Sequence, residues 1–379
     1  MSVETNKAKS VVGGEAGTLG KSSVHVDKPL SDFSVKVVQD DTVFKARQIV
    51  GPFNSKHRQD MYYFYDPAYF MINQVKERAE GAEAAKAKYG VSRKPFSTKV
   101  YALKQPVTDE TVANADKPVD RIYEDATAFV TRQFLLNKEK EMATALLAEG
   151  VWATDWSGQD AALTDPLAVV EAGKFQKFTA AASKPLDVLD EAMLRIQLKS
   201  GLRPNRMVMT RTVFTALKRN ASIKTTKLYT NGNSGSDDAV LDTIASHLGL
   251  RAADIFVLDV VEPASAATID GTTFQITTDT EGYASATEDD NATTLANQFI
   301  GGNGILLMHI DPNSNGQYSA TAAVCAQWTG LYPDGGDLGN TVFKRYRMEE
   351  FSSEFIEGRT AFSYHIVAPA LGLFLKDVI

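Results

Sequence analysis

The chain has 379 residues, 44% hydrophobic and 23% charged, an ordinary balance for a water-soluble chain with one large or two modest cores. Its net charge of −7 arises from 40 basic and 47 acidic residues, and its single cysteine, Cys325, excludes internal disulfides, so packing or partners must hold the fold. No apolar run reaches the roughly 18 residues that cross a bilayer, and Met1 to Gly20 lacks the apolar core of a secretory signal, so a cytoplasmic origin without a membrane is expected.

In chain order, residues 1–41 predict an extended arm, with one strand at Phe33 to Val38. Thr42 to Val50 predicts a strand stopped by Gly51-Pro52. The aromatic run Tyr62-Tyr63-Phe64-Tyr65 follows, and Met71 to Ala79 predicts a short helix. Gly81 to Gly90 is small and basic, as at a loop tip. Lys99 to Leu103 has strand character, and Pro106 restarts the chain. After Pro118, a helix is expected from about Asp120 to Glu149. Ala126, Val130 and Phe134, then Leu135, Met142 and Leu146, form its apolar stripe, and Gly150 stops it. A helix of about thirty residues spans some 45 Å and must rest on several other elements.

Lys184 to Ser200 predicts a second helix, ended by Gly201, before a buried strand at Arg206 to Thr210. Helices are expected at Thr212 to Asn220 and Asp238 to Leu248, and strands at Ile255 to Val261, Ile305 to Ile310 and Ala320 to Trp328. Thr268 to Ala286 reads as an exposed hairpin. Arg345 to Phe351, Phe355 to Ile356 and Phe362 to Val367 read as closing strands. The class is α+β, without an internal repeat.

Charge is unevenly placed. Ala252 to Phe343 contains twelve acids and no Lys or Arg, while the tail from Lys344 is neutral, so the first 251 residues must carry +5. Lys76 to Lys104 holds eight bases against three acids. Either these are two solvated faces, or a basic loop on one copy meets an acidic segment on another; opposed fields favour register and association rate. Under the second reading the interface residues are Lys86, Lys88, Arg93, Lys94 and Lys99, facing Glu288, Asp289 and Asp290.

Motifs of catalysis are weak. Gly17-Thr18-Leu19-Gly20-Lys21-Ser22 ends like a phosphate-binding loop, but Glu15 stands where the motif needs glycine. His25, His57, His247, His309 and His365 never pair at helical spacing, and one Cys cannot build a thiolate cluster. Glu288-Asp289-Asp290 lacks the alternation of a Ca²⁺ loop and reads as a solvated turn. Among the bases of the loop only Tyr89 and Phe96 could stack on a nucleobase. No catalytic residue, cofactor or metal is expected.

Three passages together resemble the major capsid proteins of tailed bacteriophages, the Hong Kong 97-like fold. Tyr62-Tyr63-Phe64-Tyr65, running through Glu80-Gly81-Ala82-Glu83-Ala84 to Thr98-Lys99-Val100-Tyr101 and on to Asp109 and Asn114-Ala115-Asp116, is similar to that family's extended loop. Asp125 to Leu147, with Glu139 and Glu141, resembles its spine helix. Leu189 to Met209, a helix then Gly-Leu-Arg-Pro-Asn and a strand, resembles the entry to its axial domain. The resemblance implies an N-terminal arm (1–41), an extended loop or β-hairpin with flanking strands (42–118), a peripheral domain with the spine helix (119–200), an axial domain (201–325) and closing strands of the peripheral domain (326–379). It implies a structural protein, not an enzyme, that self-assembles as pentamers and hexamers into an icosahedral phage head around double-stranded DNA. The virion is its place and the bacterial cytoplasm its site of assembly. A separate scaffolding protein, a portal and a decoration protein are the expected partners, with packaged DNA contacted non-specifically at most. Lys86, Lys88 and Lys94 lie where some members crosslink. The alternatives are another virion component, of tail or decoration type, or an enzyme with an acidic cleft in 252–343.

Overall fold

Two sheets share the C-terminal half of one long helix in the computed structural model, which describes residues 43–65, 71–78, 80–81, 83–114, 120–160, 173–231, 236–263, 267–269, 272–274, 276–278, 284–286, 297–311, 320–331 and 341–379. The expected arm, the Phe33–Val38 strand, the Gly17–Ser22 motif and Glu288, Asp289 and Asp290 lie outside the described residues.

The described elements begin with α1 (Ala46–Ile49), β1 (Pro52–Ser55), β2 (Gln59–Tyr65), β3 (Val91–Ser97), β4 (Lys99–Thr108), α2 (Asp109–Ala113) and the spine helix α3 (Asp120–Leu146). There follow β5 (Asp155–Gln159), β6 (Lys174–Gln176), α4 (Pro185–Ser200), β7 (Arg206–Thr210), α5 (Arg211–Arg219), α6 (Ala221–Asn231), α7 (Asp237–Leu248), β8 (Ile255–Leu258) and β9 (Val261–Pro263). Four short strands, β10 (Ala267–Ile269), β11 (Thr272–Phe274), β12 (Ile276–Thr278) and β13 (Ala284–Ala286), make two small hairpins. The chain closes with β14 (Asn297–Phe299), β15 (Ile305–Met308), β16 (Ala323–Trp328), β17 (Val342–Met348), β18 (Ser353–Ile366) and β19 (Gly372–Lys376).

One sheet has five strands in the order β1-β16-β18-β17, with β4 also paired to β18. The other has six, in the order β6-β5-β19-β15-β7-β8. The sheets do not divide the chain into consecutive blocks, because β19 returns between β5 and β15 while β16 to β18 stay in the first sheet.

The six-stranded sheet is buried on both faces, which is why its strands read as unbroken apolar runs rather than alternating ones. Met207, Met209, Ile305, Leu307, Leu373 and Leu375 face a core built with α4 to α7. Their neighbours Val208, Leu306, Met308 and Phe374 face a second core with Met142 and Leu146 of the spine helix and with Cys325, Phe362 and Tyr364 of the five-stranded sheet. That second core is the joint between the sheets. The first half of the spine helix packs Val130, Phe134 and Leu135 on Phe343 and Ile356.

Local residues cap the helix ends, and the Gly201 stop is where it was expected. Pro185 opens α4, and Gly201, at φ 75°, ends it in the left-handed region that glycine adopts without strain. Ser236 accepts from the Ala239 amide at the start of α7.

Several expectations need correction. Thr42 to Val50 holds a helical turn, not a strand, for reasons given below. Residues 72–78 are irregular, not helical. There the Gln74 amide pairs with the backbone of Lys88 on the opposite limb of the loop, donating to its carbonyl at 3.0 Å and accepting from its N–H at 2.9 Å. Pro106 lies within β4, an edge strand, where a missing amide hydrogen is tolerated. The Ile255 strand ends at Leu258, and β9 pairs separately with β14. Phe355–Ile356 and residues 362–366 belong to one fourteen-residue strand, which ends before Val367. Periodicity did not reveal α6, β5, β6 or β19.

Cys325 is buried in the joint core, and burial pushes its thiol up to about 11. It is therefore expected to resist an aromatic disulfide reagent at pH 8 in the folded protein and to react fully in denaturant. Prompt stoichiometric labelling of the native chain would contradict this packing.

Candidate subunit interface: the extended hairpin

β2 and β3 pair antiparallel from Gln59↔Ser97 to Tyr65↔Val91, with the loop tip beyond them. The side-chain period of two puts Tyr62, Phe64, Lys94 and Phe96 on one face and Met61, Tyr63, Arg93 and Val91 on the other. The first face turns toward the body. Phe96 is buried, edge-on to Phe53 at 5.9 Å and tilted on His365 at 6.0 Å. The Nε2–H of His365 donates to the Ser97 carbonyl at 3.2 Å, and burial holds the ring's pKa below its usual value. The base of the hairpin is tied by the Thr98 amide and hydroxyl, both donating to the Arg58 carbonyl at 2.9 and 3.1 Å.

Between this inner face and the body runs a groove of about 770 Å³, lined by Tyr62, Phe64, Met71 and Tyr89 on one side and by Gly201, Leu202 and residues 367–371 on the other. The outer face is apolar and uncovered: Met61 is 61% exposed, Tyr63 58% and Val91 45%, and Ile72 and Val75 nearer the tip are 63% and 85%. A row of large apolar side chains in solvent at one projecting element is the mark of a contact surface.

The five bases singled out from the sequence are all on this element or at its root, and most already have partners in the same chain. Lys86 pairs with Glu83 at 3.2 Å, both fully in solvent, which is worth little. The Lys88 backbone is held by Gln74. The Arg93 guanidinium lies 5.1 Å over the Tyr63 ring and donates to its hydroxyl at 3.2 Å. The Lys94 ammonium sits 4.0 Å over the ring of Phe64. Lys99 pairs with Glu141 of the spine helix at 3.2 Å.

The acidic side is likewise partly matched within the chain. Asp254 pairs with Arg251 at 2.7 Å, Glu262 with Lys140 at 2.8 Å, and Asp259 takes both a 2.5 Å and a 2.7 Å bond from Arg211. Arg211 also reaches Asp237 at 3.1 Å, which binds Lys218 at 2.6 Å, so one network joins α5, α7 and the end of β8. The charge split is thus less free to act between copies than composition suggests.

Sequence reasoning singled out the bases and passed over the apolar outer row. The signal was present: four consecutive aromatics in a strand place an apolar ring on both faces, and one body can cover only one of them. Among the described residues, no group of three or more His, Cys, Asp or Glu could hold a metal ion, and no helix is long and apolar enough to cross a membrane.

A projecting hairpin, a long helix over a five-stranded sheet, and a helix-covered second sheet entered through Gly201-Leu202-Arg203-Pro204-Asn205 make up an α+β plan in the order that the resemblance implied. A crystal structure of a phage-related protein from Bordetella bronchiseptica RB50 shares this chain's fold, with a TM-score of 0.61 at 14% identity over 94% of this chain and 98% of that one. Also similar are the capsid structure of cyanophage P-SCSP1u (TM-score 0.46, 10% identity, 86% of this chain and 84% of that one) and the asymmetric unit of the bacteriophage PhiM1 mature capsid (TM-score 0.46, 10% identity, 99% and 92%). No protein-family model and no curated protein sequence matches the chain.

Proposed function

We propose that this chain is a major capsid protein, copies of which close an icosahedral shell of pentamers and hexamers around packaged double-stranded DNA. The observation that carries the reading is the hairpin. It exposes Met61, Tyr63 and Val91 on its outer face, with Ile72 and Val75 also in solvent nearer the tip, on a chain that shares its fold with a phage-related protein. Buried against a neighbour, such side chains contribute on the order of 1.5–3 kcal/mol each at full burial, and a shell repeats the contact at every subunit. The bases Lys86, Lys88 and Arg93 would set the register of this contact rather than its strength, while Lys94 stands on the inner face over Phe64. The segment before residue 42 would act as an arm on a neighbour. Residues near 201–325 would gather at the symmetry axes. A separate scaffolding protein, a portal and a decoration protein are the partners to look for, and the role is structural rather than enzymatic.

The test is expression of the chain alone and with its neighbouring reading frames, followed by gradient sedimentation and electron microscopy. Closed particles with the chain as their main component are expected. A chain that stays a small soluble species under every co-expression contradicts the reading. The hairpin is tested apart from it. Tyr63→Glu together with Val91→Glu should abolish particles while shifting the unfolding midpoint by less than about 1 kcal/mol, because neither side chain is buried in the subunit. Normal shells from that double variant would remove the hairpin from the interface.

A further inference from the structure

The four-residue helix α1 supplies no side-chain cap of its own at Lys45. Its cap comes from 93 and 94 residues away: the Glu139 carboxylate of the spine helix accepts from the Ala46 amide at 2.7 Å and from the Lys45 amide. At the other end, Arg206 of β7 donates to the carbonyls of Gln48 and Ile49. A carboxylate at the N-terminus and a guanidinium at the C-terminus both match the helix dipole. The Lys45 ammonium adds a third tie, donating to the Val257 carbonyl at 2.8 Å with Asp259 at 3.8 Å. One short segment is thus fastened to the spine helix and to the two strands β7 and β8 of the six-stranded sheet. Every N–H and C=O so used is withdrawn from strand pairing, which is why residues 43–50 do not form the expected strand.

Glu139 is 1% exposed. The ionisable groups around its carboxyl are Lys45 ahead of α1 and Tyr364 from β18. Lys138, beside it in the helix, belongs to the surroundings of Cys325 and Arg47 and lies 5.6 Å from the centre of the Phe362 ring. Arg206 holds the far end of α1.

We propose that α1 is a latch between the spine helix and the six-stranded sheet, and that Glu139 makes the hold of this latch depend on pH near neutrality. Burial outweighs the two amide bonds and Lys45 and pushes the Glu139 carboxyl up to about 7. Released into water, the group would return to the usual carboxylate range near 4.5. A carboxyl with a raised pKa in the closed state favours closure fully below the open-state value and loses that advantage as pH rises through the closed-state value. The latch is therefore tightest in mild acid, loosens between about pH 4.5 and 7, and becomes insensitive above that. Loosening frees residues 43–50, and whatever precedes them, from the spine helix.

Hydrogen exchange of peptides spanning 43–50, corrected for intrinsic rates, tests this on the full chain. Linkage predicts roughly tenfold more frequent opening at pH 8 than at pH 6, with peptides from β15 as an unchanging reference. Glu139→Gln should abolish the pH dependence, whereas Arg206→Gln should raise opening at both pH values and keep their ratio. Lys138, whose own pKa burial lowers to about 8, is controlled by Lys138→Met, which should leave the ratio intact. A pH-independent opening in the wild type overturns the proposal. So does a ratio that survives Glu139→Gln. Should that variant fail to fold, the wild-type ratio and the Lys138→Met ratio still decide the matter.

Discussion

Replacing Gly358 by valine is expected to destabilise the subunit by about 3 kcal/mol, at the upper end of what overpacking costs. Gly358 lies in β18, flanked by Phe343 of β17 and Leu103 of β4. A Cβ there would stand 2.4 Å from Phe134 Cε2, 3.0 Å from Val130 Cγ1 and 3.1 Å from Phe343 Cε1. All three neighbours are themselves buried in one core, so none can swing into solvent. The bare backbone is what lets the spine helix lie close against the five-stranded sheet. The measurement is the denaturant midpoint of the purified subunit. Trimming the facing ring in the double variant Gly358→Val, Phe134→Leu should recover part of the loss, since the clash and the cavity then offset each other. A single variant with an unchanged midpoint would mean that the helix does not approach the sheet as closely as this.

Phe362→Ala is expected to cost about 3–5 kcal/mol, the range for a buried aromatic removed from a core that cannot collapse. Phe362 is fully buried at the joint of the two sheets. Its ring centre lies 4.9 Å from that of Tyr101 and 5.9 Å from that of Tyr364. It is also the residue of β18 that pairs with both Lys99 of β4 and Gln327 of β16, so the strand is held on both sides there. Backbone pairing prevents β18 from sinking into the space left behind. Thermal unfolding of the variant should begin far below that of the wild type, and hydrogen exchange should show β16 and β18 losing protection together. Loss confined to the hairpin would contradict a shared joint core. The contrast with Tyr63 and Val91 separates stability from assembly: buried aromatics hold the subunit, while the exposed ones on the hairpin serve a neighbour.

Acidity acts on the hold of α1 through Glu139. Its raised pKa means that ionising it weakens the folded state, so α1 is held less tightly at pH 8 than at pH 6. Cys325 has its pKa raised by the same cause, yet to about 11, outside the physiological range, and contributes no switch.

Much of the local structure was legible in the chain because local rules decide it. The apolar stripe from Ala126 to Leu146 and the Gly201 stop of α4 each follow from nearest-neighbour sterics, capping and burial of one face. The order of hairpin, spine helix and second sheet was enough to suggest the fold. Tertiary structure alone decided the rest. A strand expected at 42–50 became a helical turn because Glu139 and Arg206, distant in sequence, captured its backbone groups. β19, which periodicity did not reveal, is fixed as a strand by β15 and β5, which take its two edges. Of the loop bases, Lys86, Arg93, Lys94 and Lys99 meet Glu83, Tyr63, Phe64 and Glu141 within the chain, and Met61, Tyr63 and Val91 stay exposed beside them. Sequence fixes which groups want burial or a partner, since that is set by each residue's own chemistry. Which group, tens of residues away, satisfies it depends on the closing of long loops, which no local pattern encodes.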